Sequence, residues 1–243
     1  MAVPFDYARF VVRSVKVLTF SRWAITAAVA LFVLAMLLYP GGTVRNPLTH
    51  GYAFFQNFGS DLGRTVAFNG RSNRGSQIVS SVGGVLLTLG ILAGAAGLAA
   101  VYSASPVRRV WALAAVVTGL LATASVLAAF LIPANLDPVL HRQLASWGFD
   151  IAPLVPLFFA FATARDRRFP IGVVSGWIFL TVVLAGFVAM RVAITSETGL
   201  VIQVTAQKIV FVAIAATLLY ESHQAARAEA KQVTGWCAAD VTV

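Results

Sequence analysis

The chain is predicted to be an all-α, polytopic integral membrane protein, a bundle of six transmembrane helices with a long structured outer loop between the first two. Composition and patterning both point there. Of the 243 residues 59% are hydrophobic and only 11% are charged, with a mean hydropathy of +0.83, whereas soluble domains carry about a quarter charged residues. The apolar residues gather in blocks of about 17 to 26, long enough at about 1.5 Å per residue to cross a hydrocarbon core of roughly 30 Å. The ten-residue alternating segments of a closed barrel are absent, so backbone groups inside the membrane must be satisfied within helices.

The spans fall at 23–39, 77–102, 110–132, 146–164, 169–190 and 200–221, with the outer loop at 40–76. No small-residue cleavage pattern follows the first block, which is therefore expected to remain as the first helix. Within the N-terminal segment 1–22, Arg9, Arg13 and Lys16 share one helical face and Val11, Val12, Val15 and Leu18 another, the pattern of a short amphipathic helix lying on headgroups. Gly83, Gly84, Gly90, Gly94 and Gly97 mark span two as a closely packed central helix. Arg9, Arg13, Lys16, Arg22, the turns "SPVRRV" and "ARDRRFP", Arg227 and Lys231 concentrate positive charge on one side. By the positive-inside rule both termini, including the tail 223–243, are cytoplasmic.

The net charge of +9 is spread as a topology signal and an attraction to anionic lipid. With no aromatic-basic platform and no zinc-finger spacing, it speaks against a nucleic-acid partner. A single cysteine, Cys237, excludes an internal disulfide and a thiolate metal site. His50, His141 and His223 lack HExxH or paired spacing, and the last belongs on the opposite side from the others, so neither a metal nor a cofactor is predicted. A serine hydrolase would have to assemble Ser60, His141 and one of Asp61, Asp137 or Asp150 from distant segments, without a G-x-S-x-G elbow.

Charges at membrane depth need partners or a purpose. Asp150 in span four and Lys208 in span six both lie roughly 20 Å from the inner boundary. They are expected to meet, either as an ion pair that pins the two spans or as an internal proton or ligand site, and Arg191 at the end of span five is positioned to join. The loop is too long to be idle, and "PGG" and "NP" open it with turn signals. Its stretch "HGYAFFQNFGSDLGRT", 50–65, places Phe54, Phe58 and Leu62 at helical spacing, with Gln56, Ser60, Asp61 and Arg64 on other faces. An amphipathic helix capping the bundle is predicted, its Asp61 and Arg64 one turn apart and able to satisfy each other. "NGRSNRG" reads as a flexible lead-in to span two.

A first span ending in Tyr-Pro, the run "FFQNFGSDLGRT", "NGRSN" before a glycine-rich second span, and "DPVLHRQLA" with Asp137, His141 and Ala145 together resemble an uncharacterised bacterial six-span membrane family, catalogued as domain of unknown function 998 and distantly similar to DRAM-like and Sfk-like membrane proteins. The resemblance implies a six-helix architecture in the bacterial inner membrane and a shared outer polar site at Asn57, Ser60, Asp61, Arg64 and His141. Adding Asp150, Arg191 and Lys208 gives an outer vestibule in which cations face a headgroup and aromatics an acyl chain. The function expected is binding of a lipid or other amphiphile from the outer leaflet. An accessory or scaffold subunit of a larger membrane complex is the alternative. A membrane-embedded hydrolase or acyltransferase would require Asp61 and His141 within hydrogen-bond reach.

Overall fold

The computed structural model describes residues 5–103, 105–164, 166–190 and 196–239, with side chains described between 12 and 231. Its helices are α1 (Phe5–Leu38), α2 (Arg74–Tyr102), α3 (Pro106–Leu131), α4 (Pro138–Ile151), α5 (Leu154–Thr163), α6 (Ile171–Ala189) and α7 (Glu197–Ala239). With α4 and α5 counted together as Pro138–Thr163, six helices are long and apolar enough to cross a membrane. Among the described residues β structure is confined to two isolated bridges, Gly41 to His50 and Val66 to Ser72.

Two boundaries differ from the sequence expectation. The N-terminal segment does not fold as a separate amphipathic helix, because α1 continues unbroken from Phe5 and no Pro or Gly interrupts it; the side chain of Arg9 lies outside the described residues. Span four starts earlier than expected, at Pro138, and divides into α4 and α5. Pro153 and Pro156 carry no N–H, so they cannot donate to Phe149 and Ala152 and the ladder breaks between the two pieces.

The α1–α2 interface is the most extensive, and its closeness follows from the glycines. A Cβ at Gly90 would come within 2.9 Å of Ile25 Cγ1 and 3.2 Å of the Ile25 backbone nitrogen, and one at Gly97 within 2.8 Å of Leu18. Ser21 Oγ uses the proximity to donate to the Gly90 carbonyl at 2.7 Å, which is how small residues join helices where burial from water supplies no force. On other faces α2 meets α3 and α7, with Phe130 seated over Gly84.

A ring cluster fills the end of the bundle opposite the 40–73 loop. Tyr102 meets Phe169 edge-on at 5.1 Å, and Phe159 stacks on Trp177 at 4.9 Å. The turns after α2 and α5 close this end, called the turn end below. The loop and the α3–α4 turn close the other, the loop end.

Candidate functional site

The 40–73 segment folds as a plug, not as an α-helix laid over the bundle. Its entry is shaped by Gly41 (φ +128), where a Cβ would run into Thr49 O at 2.5 Å. Phe54 to Gln56 form a turn and Gly59–Gly63 a single 3₁₀ turn. The expected helix fails because short polar side chains take the backbone donors first. Asn57 Oδ1 accepts from Ala53 N at 2.9 Å, and Asp61 Oδ2 accepts from Phe58 N at 2.8 Å. Leu62 ends fully buried, whereas Phe54 and Phe55 stay exposed and pack on each other edge-on.

Every strand of this plug is tied down. Asn57 Nδ2 donates to Gly42 O and to Asp61 Oδ2. Asn73 Nδ2 reaches the carbonyls of Leu62 and Arg64 at 3.0 and 2.8 Å, and Ser76 Oγ donates to Leu62 O. The "NGRSNRG" stretch is therefore ordered, folded back by the Val66 to Ser72 bridge and held by Asn73. Thr65 and Asn135 exchange two hydrogen bonds that fasten the plug to the α3–α4 turn. Irregular backbone at the mouth of a membrane bundle is tolerated when its polar groups are satisfied by protein in this way.

Lys208 belongs to this plug. Its Nζ donates to Asn57 O at 2.7 Å and faces the rings of Phe54 and Tyr52 at 5.0 and 5.3 Å. One residue earlier, Gln207 Oε1 accepts from Gly59 N, and at the start of α7 Glu197 accepts from Gln56. The ammonium is thus taken by the loop and not by Asp150, which corrects the expected pinning of span four to span six. Burial raises the pKa of Asp61, against the opposing hydrogen bonds from Asn57 and Phe58 and the charges of Arg64 and Lys208. Burial, with Asp61 adding to it, likewise lifts Tyr39 to about 12 and raises Tyr52.

The remaining predicted residues do not converge on one vestibule. Arg64 does not pair with Asp61; its guanidinium lies 4.0 Å from the Phe68 ring centre and Nε donates to Val66 O. His141 Nδ1 lies 2.9 Å from Ala129 O and 2.8 Å from Ile132 O, so Nδ1 carries the proton and caps the open carbonyls at the end of α3. With Asp61 and His141 committed to separate partners, the dyad that a hydrolase needs is not formed. Ser60 is half-buried beside Asp61. Arg191 lies outside the described residues.

Asp150 sits elsewhere, on the exposed face of α4. With Val139, Arg142, Gln143, Ser146 and Trp147 it lines a groove of about 610 Å³. Arg142, Ser146 and Asp150 follow one another at successive turns down this face. α4 packs on α3 through its opposite side, where Gly148 abuts Val126 and the Ala122 carbonyl. The Arg142 side chain makes no hydrogen bond or ion pair among the described residues. The signal in the sequence is the i, i+4, i+8 polar ladder in "RQLASWGFD", of which only Asp150 lies at membrane depth.

Two further polar groups have partners far away along the chain, which the sequence does not reveal: Tyr102 for Glu221 and Arg108 for Asp166. Glu221 in α7 is fully buried and accepts from Tyr102 OH at 3.2 Å. Asp166 gathers Arg108 at 2.9 Å and Arg168 at 2.8 Å, while Arg168 also donates to Val101 O and approaches Glu229 at 3.7 Å. Burial alone would raise the Asp166 pKa, but the Arg168 hydrogen bonds and the charges of both arginines outweigh it and hold the carboxyl below its ordinary value. These contacts lock the two loops of the turn end together.

No family model matches the chain, and neither curated proteins nor solved structures give a match.

Proposed function

We propose that this six-span chain binds a glycerophospholipid or related amphiphile from the leaflet at its loop end, with both termini on the cytoplasmic face of a bacterial inner membrane. The observation that carries the reading is the α4 groove. Its donors descend in the order in which a lipid presents its acceptors. Arg142, one turn into the helix, suits a phosphate, because a guanidinium offers paired donors to two oxygens. Gln143 lies beside Arg142 at the headgroup level, Ser146 a turn deeper at the level of ester oxygens, and Trp147 offers an apolar wall to the chain. A cation on an outward helix face near a membrane boundary reaches the interface, where lipid phosphates are the anions at hand. The sealed plug supports the same assignment, since Asn57, Asp61 and Lys208 are consumed in holding the loop and leave no open vestibule there.

The test is lipid retention. Wild-type protein purified in mild detergent and released in a native mass spectrometer is expected to carry a glycerophospholipid. Arg142→Gln should lower its retention roughly ten- to a hundredfold, the loss of one charge-assisted contact of about 1.5–3 kcal/mol. Equal retention by the variant would refute the groove as the site. The polar face continuing to Asp150, deeper than a headgroup reaches, favours a second reading in which a partner span packs on α4. A stoichiometric second polypeptide in place of lipid would select it.

A further inference from the structure

Two neighbouring pairs of arginines stand in the turns of this end, Arg108 with Arg109 at the start of α3 and Arg167 with Arg168 before α6. The fold uses one of each pair. Arg108 and Arg168 share the buried carboxylate of Asp166, and Arg168 is also bound to Val101 O and Glu229. Adjacent residues on a helix point about 100° apart, so seating Arg108 on Asp166 turns Arg109 outward, and seating Arg168 leaves Arg167 outside the same turn. Both are exposed and make no side-chain hydrogen bond or ion pair among the described residues.

Their setting identifies what they face. Val107 and Val110, close to Arg109 in sequence, are 69% and 63% exposed, and Ile171, which opens α6 after Arg167, is 86% exposed, so outward apolar side chains suited to acyl chains lie close to the two cations along the chain. The arginines therefore stand at the boundary between the apolar belt and water, at the level of lipid phosphates. Among the described residues the acidic groups nearby, Asp166 and Glu229, are already paired, so no described carboxylate is left to compensate Arg109 and Arg167.

We infer that Arg109 and Arg167 form a rim site for the headgroup of an anionic phospholipid in the leaflet at the turn end. This site is separate from the α4 groove and differs from it in selectivity. A single guanidinium on a phosphate does not distinguish zwitterionic from anionic lipids, whereas two uncompensated cations favour a net negative headgroup.

The experiment uses the full chain in nanodiscs of phosphatidylcholine with a minor fraction of phosphatidylglycerol, read by native mass spectrometry. Wild type should retain phosphatidylglycerol well above its share of the bilayer. The Arg109→Gln, Arg167→Gln double variant should lose about thirtyfold of that preference, the product of two arginine–headgroup contributions. Its thermal midpoint should stay at the wild-type value, since neither side chain holds another part of the chain. Arg142→Gln should leave the preference intact, which separates failure of this site from failure of the groove. Undiminished preference in the double variant overturns the inference. Saturable binding of inorganic phosphate to these arginines in detergent, at concentrations that displace phosphatidylglycerol, reassigns the site to a free anion and also overturns it.

Discussion

Lys208 shows how residue-scale chemistry separates depth from partnership. Its position in an apolar span marks it as costly from the sequence, but its partner is a backbone carbonyl 151 residues away, and a carbonyl has no residue identity to be read. Lys208→Met should remove the charged one of the two donors to Asn57 O, leaving it the Tyr52 hydroxyl at 2.9 Å, and lower unfolding stability in detergent by about 1–3 kcal/mol. An unchanged chemical-denaturation midpoint would show that the contact is dispensable. The two buried carboxylates outside the spans respond to acid in opposite senses. Asp61 has its folded pKa raised, so its contribution is fully present below the unfolded value of about 3.9 and is lost as pH rises through the folded value. Asp166 has its folded pKa lowered, so its contribution is present above about 3.9 and is lost as pH falls through the folded value. Hydrogen exchange followed from pH 7 down to about 3, corrected for intrinsic rates, should therefore show protection lost first around 105–109 and 166–169, with 57–64 holding. Simultaneous loss at both ends would contradict the assignment.

At the scale of elements, the apolar blocks make five of the spans legible to within a few residues at most ends, because membrane length and periodicity act locally. The extension of the last helix, α7, to 43 residues was not legible from hydropathy, since its final turns leave the apolar window yet contain no breaker. The loop misled for a different reason. Phe54, Phe58 and Leu62 have helical spacing, but Asn57 and Asp61 capture the backbone donors and only Leu62 is buried. The glycines of α2 were readable as close packing, and geometry now separates necessary from incidental ones. Gly90→Ala would press a methyl into Ile25 side chain and backbone, and is expected to destabilise by about 1–3 kcal/mol. Gly186→Ala in α6 meets nothing within 4 Å and should be neutral or stabilising by up to about 1 kcal/mol through helix propensity. Thermal unfolding of the two variants side by side checks the pair, and a gain at both positions would mean that propensity and not crowding governs these sites.

The whole molecule places its charged chemistry at two closed ends and along one outward face, and fills the interior between them with apolar side chains and hydroxyls that bond to helix carbonyls, such as Ser21, Thr88 and Thr123. Hydropathy predicts that interior, but cannot say whether a polar loop lies over the bundle or sinks into its mouth, because the answer depends on side-chain to backbone contacts between segments. Ser76 tests it. It is fully buried at the start of α2 beneath Leu62, although it lies at the boundary where a loosely draped loop would leave it wet. In a Cys237→Ser background, Ser76→Cys should therefore resist a water-soluble maleimide. Adding Asn57→Ala removes hydrogen bonds to Ala53, Gly42 and Asp61 at once. At about 1 kcal/mol each, their loss should raise local opening, and with it the labelling rate, on the order of a hundredfold. The span helices should keep their hydrogen-exchange protection, since among the described residues Asn57 is hydrogen-bonded to a span only through Lys208, which holds the backbone carbonyl that Asn57→Ala retains. Rapid labelling of the single cysteine variant without Asn57→Ala would mean that the plug does not seal the mouth. Comparable slow labelling with and without it would mean that Asn57 is not what holds it shut.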